Sequence, residues 1–293
     1  MIVIYNPTAG RRRARMLWRV LDRLVLAGAR VEVAETRWAG HAIELARSAA
    51  ERGQALVVAA GGDGTIAEVA GGIEGSGSKL GIIPMGTANV LAHELGLSFG
   101  PDAVAAALGM ARTCDIWPGL VRSDDGSPQP RNGVFVQMLG AGFDAQVVHQ
   151  ISLPLKRQFG AFAYALQAGR ELARYGFAPI RVQVDDVAHE VASVIVTKGK
   201  LYGGRHVLAP GMAPTRPGFT VALFDRAGPL ATLRYGLALP LGLLSRMPGV
   251  RLLAARHVTI QNATVPVQTD GDVGGRAPLS VTDARRPIQV VVG

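Results

Sequence analysis

The sequence predicts an α/β fold with two domains, a Rossmann-like layer of helices around a parallel sheet followed by a mostly antiparallel β domain. The chain has 293 residues, within the range of roughly 250 to 300 residues at which a single hydrophobic core stops growing. Short apolar runs alternate with stretches of helical period through the first hundred residues, which is typical of β-α units around a parallel sheet. After Asp115, strand-like runs follow one another with few helices between them, which favours a mostly antiparallel domain.

The predicted N-terminal elements alternate between strand and helix. Strands are expected over residues 2–5, 31–34, 56–60 and 80–83. Helices are expected over residues 11–27, 41–52, 66–73, 88–95 and 101–110. The first helix carries apolar residues at helical spacing and ends before Gly28, since glycine commonly follows the last helical turn.

The C-terminal half is predicted to be mostly strand. Strands are expected over residues 133–139, 180–184, 191–197, 219–224, 258–261 and 288–292, and helices over residues 160–175 and 230–244. A polar stretch with two prolines, residues 123–132, indicates an exposed loop. We therefore expect the α/β domain at residues 1–118 and the mostly antiparallel domain at 119–283, with a C-terminal strand in 284–293 that can return to the first domain.

Charge and composition narrow the class of partner. A net charge of +9 implies attraction to an anion, and nucleic acid, acidic lipid headgroups and nucleotide phosphates all qualify. Aromatic residues are only 5% of the chain and form no cluster among basic residues, so we expect no nucleic-acid partner. The single cysteine, Cys114, and the lack of a secretory signal indicate a cytoplasmic protein. Residues 230–247 are interrupted by arginines and a proline, and are too short an apolar run to cross a bilayer.

Gly61-Gly62-Asp63-Gly64-Thr65 stands where a buried strand is expected to end and a helix to begin. Glycines at such a junction let backbone N–H groups approach phosphate oxygens, and the helix N-terminus favours negative charge. Thr65 is expected to cap the helix. Asp63 would repel phosphate unless a cation such as Mg²⁺ lay between them. A plain tight turn is the alternative.

Gly62, Gly64 and Ala67 also satisfy the loose dinucleotide pattern G-x-G-x-x-A, so an NAD-binding dehydrogenase is a second alternative. Such enzymes carry a carboxylate about twenty residues further on that binds the ribose. The corresponding stretch, residues 80–84, contains none. The loop therefore favours phosphate binding with a cation over dinucleotide binding.

Two further turns follow predicted strands, at the carboxyl ends where ligands bind in open α/β sheets. Pro84-Met85-Gly86-Thr87-Ala88-Asn89 follows the fourth strand and is expected to line the same crevice as the glycine loop. Asn6-Pro7-Thr8-Ala9-Gly10 follows the first strand and leads into four arginines between residues 11 and 15. Cations at a helix N-terminus oppose its dipole, which a bound anion would offset. A solvated first turn is the alternative.

Thr269-Asp270-Gly271-Asp272 puts two carboxylates two residues apart beside a glycine. Such a pair could hold Mg²⁺ and take a proton from an attacking hydroxyl, which are roles that phosphoryl transfer needs. Asp-Gly-Asp is also ordinary turn chemistry, and a turn is the preferred interpretation of this motif taken alone.

Taken in chain order, the four motifs at residues 6–10, 61–65, 84–89 and 270–272 resemble those of the diacylglycerol kinase catalytic-domain family, which includes bacterial soluble lipid kinases and the sphingosine and ceramide kinases. The resemblance covers nearly the whole chain, and Gly140-x-Gly142-Phe143-Asp144 is similar to the turn that begins the family's second domain. It implies an NAD-kinase/diacylglycerol-kinase-like nucleotide domain, a β-sandwich, an active site in the cleft between them, and ATP with Mg²⁺ as cofactors.

The same resemblance implies roles for single residues. Asp270 would be the general base, Asp63 would hold Mg-ATP, and Asp272 stands where the family usually has Glu. The implied catalytic residues are therefore Asp63, Asp270 and Asp272, and the implied metal ligands are Asp63, Asp115 and Asp272. The implied nucleotide neighbours are Asn6, Gly10, Arg11, Thr36, Gly61, Gly62, Asp63, Gly64, Thr65, Gly86, Thr87 and Asn89.

The chain departs from the family at two positions. Val90 stands where many members have Asp, and Arg216-Pro217-Gly218 replaces an Asp-Asp-Gly turn that can hold a structural magnesium. NAD kinase shares the glycine-Asp loop, but its Asn-Glu motif has no counterpart in this chain. We therefore expect an ATP-dependent lipid kinase, with an NAD kinase-like phosphotransferase as the alternative.

A lipid substrate requires access to a membrane, and two stretches combine apolar with basic groups. Residues 153–157 are followed by Phe159, Phe162 and Tyr164, and residues 216–257 carry six arginines against one acid, Asp225. We expect peripheral binding to an anionic membrane surface. The alternative is that the apolar residues belong to the sandwich core and its covering helices. Related enzymes also make a homodimer an expectation.

Overall fold

The computed structural model describes residues 1–8, 14–110, 112–123, 133–151, 161–262 and 264–293, except the side chains of residues 161 and 162. The helices are α1 (Ala14–Leu26), α2 (His41–Glu51), α3 (Asp63–Ile73), α4 (Val90–Glu94), α5 (Pro101–Met110), α6 (Phe143–Gln150), α7 (Ala161–Leu172) and α8 (Pro229–Ala238). The strands of the first domain are β1 (Ile2–Tyr5), β2 (Glu32–Glu35), β3 (Leu56–Gly61), β4 (Lys79–Pro84) and β5 (Thr113–Ile116). Those that follow are β6 (Gly119–Ser123), β7 (Val134–Phe135), β8 (Met138–Ala141), β9 (Ile180–Val184), β10 (Val187–Val191), β11 (Ser193–Thr197), β12 (Leu201–Tyr202), β13 (His206–Val207), β14 (Phe219–Phe224), β15 (Val250–Ala255), β16 (His257–Ile260), β17 (Pro266–Thr269), β18 (Asp272–Arg276), β19 (Leu279–Asp283) and β20 (Ile288–Val291).

The first domain is built on a six-stranded sheet of order β2-β1-β3-β4-β20-β5. The pairs β1–β2, β1–β3 and β3–β4 are parallel. β20 pairs in parallel with β4 and antiparallel with β5, so the last strand of the chain lies inside the first domain. The carboxyl ends of β1, β3 and β4 meet at one edge of the sheet, which is where the three predicted turns follow.

Neighbouring residues of the central strand face opposite layers of helices. In β3, Val57 and Ala59 pack with α2 and α3, whereas Val58 and Ala60 pack with α1 and α5. Every residue of β3 is buried, as expected for a strand covered on both faces. This rigid centre ends at the glycine loop.

The second domain is a sandwich of two six-stranded sheets, β10-β9-β16-β19-β6-β7 and β15-β14-β11-β8-β17-β18. Its core between the sheets is rich in valine. Core residues include Val121, Phe135, Leu139, Val182, Val194, Val221, Val258 and Val281. Side chains along β11 point alternately to the two faces of its sheet. Val194 and Val196 face this core, whereas Ile195 faces outward and packs with Tyr235 of α8 and its neighbours.

Helices α6, α7 and α8 cover the outer face of the second sheet. α6 packs on β8 and β17, α8 packs on β11 and β14, and α7 contacts both α6 and α8. An apolar space remains between these helices and the sheet. No helix in the described ranges is long and apolar enough to cross a bilayer.

The predicted fold class agrees with this architecture, but several elements differ. The single strand predicted over residues 133–139 is two strands, β7 and β8. At their junction the backbone N–H groups of residues 136–138 donate to the side chain of Asp270 instead of to a neighbouring strand. The helix predicted over residues 230–244 ends at Ala238, since a proline at position 240 disfavours helical geometry before it. Helix α6 was not predicted. Residues 124–132 of the predicted loop lie outside the described residues, and Ser123 ends β6.

Candidate active site

A single cavity of about 1440 Å³ extends from the glycine loops of the first domain to the helices of the second. Its first end is lined by the turns that follow β1, β2, β3 and β4, at the carboxyl edge of the parallel sheet. Its far end is lined by α6, α7, α8 and the outer face of β11. The hairpin turn between β17 and β18 lines the cavity where the two domains meet.

The two glycine turns of the first domain are in direct backbone contact. A Cβ atom on Gly86 would lie 2.5 Å from the Cα of Gly62, well inside van der Waals distance. Only glycine at this crossing lets the two turns form one continuous surface. The N-terminus of α3 opens on this surface, so the backbone N–H groups of its first turn and the helix dipole favour an anion there.

Thr65 does not cap α3, which corrects the sequence prediction. The helix begins at Asp63, with Gly62 as the N-cap residue, so Thr65 lies inside the first turn and is buried. Its Oγ1 accepts a hydrogen bond of 3.1 Å from the Nδ2 of Asn6. Asn6 in turn accepts from the backbone and hydroxyl of Thr8. Thr65 therefore ties the turn after β1 to the glycine loop.

Asn89 shapes the second glycine turn from behind. Its Oδ1 accepts from the backbone N–H of Gly86 and its Nδ2 donates to the carbonyl of Gly86, both at 2.8 Å. The residue is 2% exposed, has a φ of 46°, and lies behind the cavity wall. Asn89 therefore holds the turn in shape instead of lining the cavity.

Asp63 lies at the N-terminus of α4 as well as at that of α3. Its Oδ1 accepts a hydrogen bond of 3.4 Å from the backbone N–H of Leu91. Burial raises the pKa of Asp63 to about 6, against the lowering effect of backbone hydrogen bonds at residues 89–91. This carboxylate is therefore both a structural acceptor and a group that titrates close to neutral pH.

Asp270 occupies the first position of a two-residue hairpin turn between β17 and β18. Both turn residues have positive φ, 49° at Asp270 and 81° at Gly271, as an Asp-Gly hairpin requires. The Asp270 carboxylate accepts three backbone N–H groups, from Val136 at 2.8 Å, Gln137 at 2.8 Å and Met138 at 2.9 Å. The hairpin is thus fixed to the junction of β7 and β8.

The charge state of Asp270 is set by its surroundings. Burial raises the pKa of Asp270 to about 7, the three backbone hydrogen bonds lower it, and the charge of Asp63 raises it further. A carboxylate of this pKa can accept a proton efficiently near neutral pH, which is what a general base must do. Asp63 and Asp270 both line this cavity.

Asp272, the second carboxylate of the hairpin, presses against the glycine loop. A Cβ atom at Gly64 would clash with the Oδ2 of Asp272, so the loop and the hairpin touch across the domain boundary. The structure therefore brings Asp63, Asp270 and Asp272 to one cleft, as predicted.

Asp115 is not part of this group, which corrects its predicted metal role. It is exposed on β5, the edge strand of the first sheet, and does not line the cavity. Nor do any three His, Cys, Asp or Glu side chains of the described residues gather as a metal site. An acidic residue on an edge strand is explained by solvent exposure alone.

The other predicted nucleotide neighbours divide into three groups. Those that line the cavity are Asn6, Thr36, Gly62, Asp63, Gly64, Thr65, Gly86 and Thr87. Gly61 and Asn89 lie behind its wall. Gly10 and Arg11 fall outside the described residues, as do most of the residues at the first predicted membrane surface.

Sequence reasoning missed an aromatic surface beside the nucleotide turns. Trp38, in the segment after β2, lines the cavity and stacks on His41 with ring centroids 3.9 Å apart and an interplanar angle of 18°. Trp38 is exposed. Trp38 gave no signal in the sequence, because its place beside the cavity depends on the turn of the chain after β2.

A polar cluster on the second-domain side was also missed as a site. Asp144 accepts a hydrogen bond of 3.0 Å from Gln268, whose own Oε1 accepts from the backbone N–H of Gly271 in the hairpin turn. Burial raises the pKa of Asp144 to about 6, against hydrogen bonds with Gln268 and Tyr202. Burial of the Tyr202 hydroxyl raises its pKa well above the usual range, and the charge of Asp144 and its hydrogen bond with Tyr202 raise it further.

Two groups of this wall have no hydrogen-bond partner among the described residues. They are the Oδ1 of Asp144 and both amide atoms of Gln137, a side chain that is fully buried at the cavity wall. Buried polar atoms usually find partners, so atoms left over in a cavity wall are candidates for ligand contacts.

Beyond the polar cluster the cavity becomes an apolar chamber. It is lined by residues of α6, α7, α8 and the sheet. Its apolar lining includes Phe143, Val147, Val148, Leu172, Phe177, Ile195, Leu208, Phe224 and Leu244. Tyr164 of α7 also lines the cavity, and its hydroxyl donates to the carbonyl of Gly271 at 3.3 Å. Tyr164 therefore connects α7 to the hairpin, which differs from its predicted place on a membrane surface.

Two family models together cover most of the chain. The model for the diacylglycerol kinase catalytic domain matches residues 1–117, and the model for the YegS C-terminal NAD kinase beta sandwich-like domain matches residues 137–292. The chain belongs to the diacylglycerol kinase family. The predicted resemblance is confirmed, and the protein is a kinase, a phosphotransferase with an alcohol acceptor.

Individual relatives match along nearly their full length. The diacylglycerol kinase of Staphylococcus saprophyticus is 29% identical over 295 residues, covering 98% of this chain and 93% of that protein. The diacylglycerol kinase of Bacillus subtilis is 28% identical over 300 residues, covering 99% and 95%. A Bacillus anthracis crystal structure, provisionally described as a diacylglycerol kinase, matches at a TM-score of 0.80 and 19% identity, covering 100% of this chain and 94% of that one. At that identity the structural likeness shows a shared fold.

Proposed function

We propose that this diacylglycerol kinase family member transfers the γ-phosphoryl group of ATP to a hydroxyl of a membrane lipid, either diacylglycerol-like or of the ceramide or sphingoid type. The observation that carries the proposal is the continuity of one cavity. The glycine turns form one end of the cavity and an apolar chamber forms the other. Asp270 lines the cavity where the two domains meet. A phosphate donor and an apolar acceptor could therefore meet beside one base.

The end of the cavity in the first domain suits a nucleoside triphosphate. The contact of Gly62 with Gly86 makes a smooth backbone surface, and the N-terminus of α3 favours phosphate oxygens. Trp38, stacked on His41, offers a flat exposed face against which an adenine ring could stack. The resemblance-based prediction of ATP as the donor fits these features.

Magnesium fits the same end of the cleft. Mg²⁺ is usually bound by one or two carboxylates plus substrate phosphates, instead of a cage made of protein ligands alone. Asp63 and Asp272 are the residues that would hold it, and this donor set agrees with the lack of a larger ligand cluster in the described chain. When bound, the ion would neutralise charge on the phosphates.

Asp270 is the proposed general base. The hydroxyl oxygen of the acceptor attacks the γ-phosphorus as its proton passes to the Asp270 carboxylate, while the bond from the γ-phosphorus to the leaving ADP oxygen breaks. Three backbone donors hold the carboxylate in position throughout. Asp144, Tyr202 and Gln137 lie on the acceptor side, where they are suited to orient the polar head of the substrate.

The apolar chamber favours a lipid over NAD as the acceptor. An acyl or sphingoid chain would replace water along Phe143, Ile195, Phe224 and their neighbours, and burial of apolar surface is favourable in proportion to its area. NAD carries no comparable apolar chain. The family match supports the same choice over the NAD kinase-like alternative.

Transfer of radiolabelled phosphate from ATP to a panel of acceptors tests the proposal. The panel contains diacylglycerol, ceramide, a sphingoid base and NAD, each with and without Mg²⁺. We expect a labelled lipid and a loss of about 10²- to 10⁴-fold in Asp270→Asn, since positioned general bases contribute about that much. Asp186→Asn, an exposed position in the turn between β9 and β10, is the matched control. Labelled NAD, or an Asp270→Asn variant as active as the parent, would contradict the proposal.

A further inference from the structure

Helix α8 carries a stripe of leucines that face solvent. Leu230, Leu233 and Leu237 follow the i, i+3, i+7 spacing of one helix face, and Leu230 and Leu237 are 61% and 62% exposed. Leu241, 70% exposed, and Leu243 extend the stripe into the turn after the helix. Single exposed leucines are common on proteins, but a contiguous row usually marks a contact surface.

The stripe is not an unfinished part of the protein core. The opposite face of α8 is already packed, since Tyr235 and Ala238 are buried against Ile195, Ala222 and Phe224 of the sheet. The helix is therefore apolar on two sides, one packed on the sandwich and one presented outward. Within the described part of the chain, no internal packing accounts for the outward leucines.

Positive charge surrounds the stripe. Arg226, Arg234 and Arg246 are all exposed beside it, and the sequence contains no acidic residue from position 226 to 257. The acid next to this stretch in the sequence, Asp225, forms an ion pair of 2.7 Å with Arg251. The partner of this surface must therefore be apolar at its centre and negatively charged at its boundary.

The stripe is continuous with the chamber. Leu233 and Leu237 are exposed to solvent and also line the cavity, so one side of the apolar chamber reaches the surface at α8. Arg226 lines the cavity as well. An apolar chain that entered there would leave one apolar environment for another without crossing water.

We propose that α8 and the turn that follows it, through Arg246, form a docking surface for an anionic lipid bilayer, and that the acceptor lipid enters the chamber between Leu233 and Leu237. This inference rests on the proposed lipid acceptor. The leucines insert among the acyl chains and the three arginines contact acidic headgroups, which is the usual arrangement of an interfacial helix. A bilayer fits better than a second copy of the chain, because the same arginines would face each other across a symmetric contact.

Sedimentation with vesicles tests the surface without any nucleotide or reaction. The vesicles contain phosphatidylcholine alone or with about one third phosphatidylglycerol, since anionic headgroups attract arginine. The variants are Leu230→Ser with Leu241→Ser, which lie outside the cavity lining, and Arg234→Gln with Arg246→Gln. The matched control is Val25→Ser with Leu26→Ser on α1, where the side chains are 60% and 79% exposed.

We expect the parent to bind the anionic vesicles and to lose binding as salt is raised. The leucine pair should weaken binding by about tenfold or more, because each buried leucine contributes substantially to membrane affinity. The arginine pair should weaken binding to anionic vesicles only, and the α1 control should bind like the parent. Equal binding by the leucine pair, or an equal loss in the α1 control, overturns the proposal. So does a parent dimer that the leucine pair converts to monomer.

A second measurement separates this inference from the proposed function. Phosphate transfer to a short-chain diacylglycerol dissolved in detergent does not require docking, so the leucine pair should retain the parent rate there and lose rate only on vesicles. If no lipid is phosphorylated but vesicle binding follows the expected pattern, the proposed function fails and the docking surface stands. If short-chain lipid is phosphorylated and no variant affects vesicle binding, the docking surface fails alone.

Discussion

Gly86→Ala probes the contact between the two glycine turns. The added methyl group would lie 2.5 Å from the Cα of Gly62 and 2.9 Å from the Oδ1 of Asn89. Carbon atoms pack at about 3.5–4.0 Å, so the turns must separate by about 1 Å. Both neighbours are fixed, one as backbone and one by its two hydrogen bonds to the turn.

The expected consequence is loss of activity with a modest loss of stability. A displacement of about 1 Å at a reacting group can cost about 10²-fold in rate, so kcat/KM for ATP should fall by about that factor. Overpacking costs about 1–3 kcal/mol of unfolding free energy. The smaller entropy of the unfolded alanine chain offsets about 0.4–1 kcal/mol of this cost.

Steady-state phosphorylation at varied ATP measures the first effect and urea unfolding the second. Gly109→Ala in α5 is the matched control, because the space around its Cβ is open and its φ is not positive. It should stabilise the protein by about 0.5–1 kcal/mol and leave kcat/KM unchanged. A Gly86→Ala enzyme with kcat/KM within threefold of the parent would refute the view that the two turns form one surface.

Three other predictions concern titration and a buried ion pair. The proposed base role of Asp270 requires a deprotonated carboxylate, and the pKa of this residue is about 7. We therefore expect kcat/KM to fall about tenfold per pH unit below neutrality and to level off above it, and Asp63→Asn to move the midpoint lower; a profile flat from pH 5 to 8 would contradict this. The pKa of Asp144 is raised above its unfolded value to about 6, so the folded state binds the proton more tightly and this residue lowers stability as pH rises from about 4 to 6. Asp144→Asn should therefore stabilise the protein at pH 7.5 by up to about 3 kcal/mol and weaken that pH dependence, as urea titrations at several pH values would show. Lys198 is fully buried and donates hydrogen bonds to Asp283 and to the carbonyl of Gly218. Lys198→Met should lower the free energy of unfolding, measured in urea, by about 3–5 kcal/mol, and a loss under 1 kcal/mol would mean that the ion pair is dispensable.

The sequence predicted best those features that depend on local backbone chemistry. The glycine turns were predicted from glycines at the ends of buried strands, and the structure adds that Gly62 and Gly86 touch there. The Asp270-Gly271 turn was predicted because that pair adopts positive φ readily. The α/β alternation was predicted because covered parallel strands and amphipathic helices differ in period.

The sequence predicted least well those features that depend on distant parts of the chain. Asp144 of α6, Tyr202 of β12 and Gln268 of β17 meet only in the folded chain, and no spacing in the sequence records that meeting. Asp115 was assigned to the metal site by the family resemblance, but the structure places it on an edge strand, where it is exposed to solvent. Helix α8 was predicted, although its pattern could not indicate that one of its two apolar faces would stay outside.

The position of β20 also constrains the biogenesis of the protein. This strand completes the first sheet between β4 and β5, yet it is made after the whole sandwich. During synthesis the first sheet therefore cannot be completed until residues 288–291 leave the ribosome, and until then the edges of β4 and β5 that pair with β20 are exposed. Such long-range pairing slows folding and exposes strand edges to aggregation, so the nascent chain is expected to depend on a chaperone, or on rapid folding of the sandwich, during that interval.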